Sequence, residues 1–138
     1  MTTGVLGTNA RVDPRQVVNT LKKTVNWNDN ASGVASPFAN PLPAGAFISR
    51  VLVEIVTAFN GTTPALVAGT VGAAYNNIVA AGDVNLGVAG VYDATRSLGR
   101  ALTAAGDILP YALYSNAGGT PSAGQAIILI EYEGGWQS

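Results

Sequence analysis

The chain of 138 residues contains no cysteine and no histidine. The first absence excludes disulfides, thiolate metal sites and a cysteine nucleophile. The second removes the commonest general base and the commonest metal ligand. Charge is scarce: Asp, Glu, Lys and Arg make up 11% of the chain, against about a quarter in ordinary soluble proteins. Lys22 and Lys23 are the only lysines, and no Ser-x-x-Lys precedes them, so a serine nucleophile lacks its usual activating base. No apolar run approaches the ~20 residues of a membrane helix. Residues 1–15, MTTGVLGTNARVDPR, lack the apolar stretch of a secretory leader. The glycine-rich GDVNLGVAG lacks the Lys-Ser/Thr ending of a phosphate loop. The sequons at Asn30 and Asn60 carry meaning only on a secretory route. An enzyme is not expected, and neither is a cofactor.

What is present is small and apolar. Apolar residues reach 48%, most of them Ala, Val, Leu and Ile. A surface so short of charge is expected to be covered in part by a partner or by further copies of the chain. The length suits one domain. Charge is also uneven. Residues 1–23 hold Arg11, Arg15, Lys22 and Lys23 against Asp13, whereas the remainder holds three arginines against seven acids. A basic leading segment suits an acidic surface. It is too sparse for a nucleic-acid patch, which needs dense Lys and Arg with aromatics between.

The stretch Leu42 to Pro64, LPAGAFISRVLVEIVTAFNGTTP, fits both helical and strand spacing. Its residue types decide. Six of the ten residues from Ile48 to Thr57 are β-branched, which costs rotamer freedom in a helix and packs well on a pleat. No Ser, Thr, Asp or Asn caps a first turn. Asn60-Gly61 is a turn signal, so a strand over 46–59, a five-residue loop and a hairpin partner over 65–71 are expected. Alternation places Phe47, Ser49, Val51, Val53, Ile55, Thr57 and Phe59 on one face.

Further strands are expected over 20–27, 34–38, 109–115 and 125–133. In the last, Ala126, Ile128, Ile130 and Tyr132 share one face. Pro110 marks the start or edge of its strand. Residues 85–101 are ambiguous, with a short helix from Asp93 to Leu102 as one reading, weakened by Gly99. A small-Ala-Gly-x-apolar unit recurs at Gly45, Gly82, Gly106 and Gly124. Each is read as a sharp turn before a strand. Short strands separated by glycine turns predict an all-β antiparallel sandwich.

Other candidates are read as structural. Asp83 and Asp107 recur at one place in the turn unit. Turn chemistry is the reading, with a paired-carboxylate site as the alternative. Glu131 and Glu133 share a strand face, but a cation needs more oxygen ligands. Trp27, Trp136 and the tyrosines are read as packing residues, with sugar stacking as the alternative. Trp136, after Gly134-Gly135, is expected to dock on the body or on a neighbouring copy.

The run Leu42 to Gly61 resembles a segment of small virion structural proteins of tailed bacteriophages. The shared features are Leu42, Pro43 and Gly45, then a long alternating strand, then Thr57, Ala58, Phe59 and Asn60. Ala123-Gly124 followed by Ile127 to Tyr132 is similar to their closing strand. The resemblance covers about half the chain, and its motifs are structural. It implies a jelly-roll-like β-sandwich over residues 16–138, with an extended, flexible N-terminal arm over 1–15. Several such proteins decorate or cement the capsid shell; with the scarce charge, the chain is expected to be a homo-oligomer, a trimer or dimer, that binds the major capsid protein on the virion surface. The chain would be made in the host cytoplasm, with no membrane or nucleic-acid partner. Arg11, Arg15 and Trp136 are the candidate partner-binding residues. A neck, tail or fibre-tip component, or a carbohydrate-binding attachment module, stays open as the alternative.

Overall fold

The computed structural model describes residues 19–29, 32–95 and 107–133. Among these residues seven strands form two antiparallel sheets. They are β1 (Asn19–Asn26), β2 (Val34–Pro37), β3 (Phe47–Thr57), β4 (Ala65–Gly69), β5 (Gly90–Asp93), β6 (Tyr111–Ser115) and β7 (Gln125–Glu133). The four-stranded sheet runs β1-β7-β3-β5 and the three-stranded sheet β2-β6-β4. One hydrophobic core fills the space between them.

The pairing is nested. The first strand pairs with the last, β2 with β6, and β3 with β5. The innermost partner is reduced to a bridge, Ala68 with Val79. This is a long hairpin rolled onto itself, the arrangement of a jelly roll, with Ile78–Val79 in place of a regular eighth strand. Val79 is fully buried, and it exchanges backbone hydrogen bonds with Ala68 at 2.9 and 3.1 Å. The apolar contact is kept although the strand is not.

The expected hairpin between 46–59 and 65–71 does not form. Both strands exist, but they lie in opposite sheets. Both edges of β3 are taken, by β7 and by β5, so the chain crosses the core instead of turning back. The face reading of β3 holds for Val51, Val53 and Ile55, which are buried. It fails at Phe47, which is exposed, while Ile48 is buried. A β-bulge lies between Ile48 and Arg50. Ser49 is the extra residue, and its hydroxyl donates to the Glu131 carbonyl at 3.2 Å. One added residue exchanges the faces.

On β7 the alternation is as expected: Ala126, Ile128 and Ile130 are fully buried. Each isoleucine so placed contributes about 1.5–3 kcal/mol. Pro110 directly precedes β6, the central strand of its sheet, and its carbonyl accepts from Phe38 N. Asp93 ends β5 rather than opening a helix. Its carboxylate accepts from Thr95 N at 2.9 Å. The rest of the expected helix, the N-terminal arm with its boundary at residue 15, and Gly106 lie outside the described residues.

The glycine turns divide. Gly45 (φ 80°) and Gly124 (φ 149°) use backbone open to glycine. Gly82 lies instead in a 3-10 turn, Ala81–Asp83, and has no positive φ. Asp83 accepts from Ala80 N at 2.9 Å, and Asp107 from Ala44 N at 3.0 Å. The two aspartates are therefore separate turn anchors.

Candidate functional site

Of the residues behind the family resemblance, Phe59, Asn60, Ala123 and Gly124 meet at one end of the sandwich, whereas Leu42 and Pro43 lie at the other, where Leu42 bridges Ile108. Asn60 does not make a hairpin turn. Its Oδ1 accepts from Ser122 N at 2.9 Å and Ala123 N at 3.2 Å, and its Nδ2 donates to Ser122 Oγ at 2.9 Å. Phe59 lies beneath Gly124, where a Cβ would overlap the Phe59 ring. Tyr114 packs against that ring, with centroids 5.0 Å apart. Trp27, half-buried against the core, donates its backbone N–H to Gly124 at 3.0 Å. Ser32 and Asn116 are tied at 2.7 Å. This pole is a closed knot of side chain-to-loop bonds, which suits a structural role for the motifs.

The opposite pole holds the described residues that border segments 1–18, 96–106 and 134–138. Asn19 pairs with Tyr132 there. Thr95 and Asp107, which flank residues 96–106, lie at the same end. Phe47 is 53% exposed and Val71 61%, and Tyr75 stacks on Tyr111 at 4.9 Å. Arg11, Arg15 and Trp136 fall in these segments and lie outside the described residues.

The third surface is the outer face of the four-stranded sheet. The register sets it out in rows across β1, β7, β3 and β5. One row is Lys22, Leu129, Leu52 and Asp93. The next is Thr24, Ile127, Glu54 and Val91. A third holds Thr20, Glu131 and Arg50. Lys22, Leu52, Glu54, Val91, Ile127 and Leu129 line an open depression of about 270 Å³. Val91 is 66% exposed, and Leu52, Ile127 and Leu129 are half-exposed. Asp93 titrates below the ordinary aspartate range. The Thr95 hydroxyl and backbone N–H stabilise its charge, with a smaller contribution from Arg50. Sequence reading had separated the two faces of β7 but had not singled out the outer one. The signal was Ile127 and Leu129, apolar on the side opposite Ile128 and Ile130.

Among the described residues no group of His, Cys, Asp and Glu is placed to hold a metal ion. No helix there is long and apolar enough to cross a membrane. Tyr114 is buried, and its hydroxyl finds no partner among the described residues. Burial pushes its pKa up.

No protein-family model matches the sequence, and no curated protein does. Among solved structures, the chain is similar to one from the cyanophage Pam1 capsid asymmetric unit, with a TM-score of 0.53. That similarity covers 83% of each chain at 18% identity; at this identity what the two share is the fold.

Proposed function

We propose that this chain is a non-catalytic structural protein of a phage virion that binds the assembled capsid and stabilises or decorates it. The observation that carries the proposal is the nested jelly-roll pairing, together with its likeness to a chain of a phage capsid. The absence of histidine and cysteine fits a mechanical role. The partner is the major capsid protein, and the chain works as a homo-oligomer on the capsid surface, without nucleic acid or membrane. Binding at lattice junctions adds buried contact. At about 25 cal/mol per Å² of apolar area, modest contacts repeated over a shell oppose the pressure of packaged DNA.

The capsid-facing end in this proposal is the pole that carries Phe47. Residues 1–15, with Arg11 and Arg15, reach from it to the shell, and Trp136 adds a second contact. Cosedimentation with empty capsids is the test. The full chain binds stoichiometrically, and deletion of residues 2–15 weakens binding while far-UV circular dichroism keeps its β signal. Unchanged binding after the deletion removes the arm from the mechanism. No binding by the full chain overturns the capsid role.

A further inference from the structure

The outer face of the four-stranded sheet has a property that neither strand order nor core packing requires. Apolar Leu52, Leu129 and Ile127 sit at its centre, with Lys22 on one flank and Asp93 on the other. Lys22 and Glu54 have no hydrogen-bond or ion-pair partner among the described residues. Lys22 and Asp93 stand in one row three strand spacings apart. At about 4.8 Å per spacing they are roughly 14 Å from each other, too far to pair within one molecule.

A two-fold axis parallel to the plane of the sheet and just above its outer face, along the strands and midway between β7 and β3, exchanges β7 with β3 and β1 with β5. It preserves each row. Lys22 of one copy then faces Asp93 of the other, Leu129 faces Leu52, and Glu131 faces Arg50. Glu54 falls over Ile127, where Lys22 of the second copy, one row away, is the nearest cation. The perpendicular in-plane axis sets Leu52 on Glu54 and leaves Lys22 facing Thr24, so it loses this complementarity. An isologous contact must be self-complementary in this way. We propose that this face is the docking surface for a second copy of the chain, related by the strand-parallel two-fold axis.

Four strands and three rows of outward residues span about 400 Å², roughly half of what one partner gives to a stable complex. The contact is therefore weak alone, with affinity in the micromolar range or above, and gains from the crowding of copies on a shared support. The inference rests on the face alone and stands or falls independently of the virion role.

Sedimentation velocity over about 1 μM to 1 mM reads it. The wild-type chain shifts from monomer toward dimer across the series. Lys22→Glu alone and Asp93→Lys alone each weaken association about tenfold, because two contacts become repulsive in each homodimer. An equimolar mixture of the two variants restores it, because in the mixed dimer both contacts are complementary. Residues about 14 Å apart in one molecule cannot produce that restoration within one copy. If Asp93→Lys loses the β signal, Leu129→Glu mixed with Leu52→Arg gives the same test on the central pair. A wild-type chain monomeric throughout, variants that associate as it does, or a mixture no better than its components each overturns the proposal.

Discussion

Replacing Gly124 by alanine strikes the closed pole at its tightest point. Gly124 sits at φ 149°, a conformation nearly confined to glycine, and another residue there costs about 1–3 kcal/mol. The new methyl also meets the Phe59 ring. Phe59 is 4% exposed and backed by Tyr114 at 5.0 Å, so the ring has nowhere to move freely. Overpacking of this kind costs about 1–3 kcal/mol. Together the loss is about 2–6 kcal/mol, a large share of the 5–15 kcal/mol typical of a whole domain. Urea unfolding followed by far-UV circular dichroism, at fixed protein concentration, measures it as a fall in midpoint with unchanged slope. A double-mutant cycle with Phe59→Leu separates the two causes. The smaller side chain relieves the clash and leaves the backbone cost, so the coupling is favourable by about 1 kcal/mol or more. A loss below about 1 kcal/mol for Gly124→Ala would show that neither the backbone argument nor the packing argument describes this pole.

Three further outcomes follow from the same geometry. Asn60→Ala removes three bonds to Ser122 and Ala123 and costs about 1–3 kcal/mol by equilibrium unfolding, with faster proteolysis of residues 116–124. The lowered pKa of Asp93 means that its charged form favours the fold. That contribution is complete above the unfolded value near pH 4 and is lost as pH falls through the lower folded value. An acid-unfolding series shows Asp93→Asn converging with wild type at low pH and diverging from it at neutral pH. Tyr114→Phe deletes a buried hydroxyl that has no partner among the described residues. It changes stability by less than about 1 kcal/mol, measured by thermal unfolding.

The strands could be read from residue types because burial on one face forces alternation. Ile128 and Ile130 on β7, and Val51, Val53 and Ile55 on β3, declared a strand and a shared face without any tertiary information. Asn60-Gly61 misled because it is a local signal. It marks a change of direction, but whether β4 returns beside β3 depends on which distant strands already occupy β3's edges. The bulge at Ser49 was invisible for a similar reason: a serine satisfies a bulge and a regular strand equally well, and only the register against Glu131 tells them apart. Gly90–Asp93 escaped notice because four residues with one glycine carry too little pattern. On the outer sheet face, Ile127 and Leu129 were legible as apolar. Their neighbours Lys22, Leu52 and Asp93 come from three other strands, and no spacing within the sequence joins them.

The pairing of β1 with β7 also bears on biosynthesis. The four-stranded sheet is threaded through its last strand, which lies between β1 and β3. A nascent chain still lacking Gln125–Glu133 leaves those two strands without their shared neighbour, so the barrier to folding is crossed only after the ribosome has made almost all of the domain. Such non-local closure is slow, on the order of milliseconds to seconds. A prematurely terminated product therefore lacks the completed outer sheet surface.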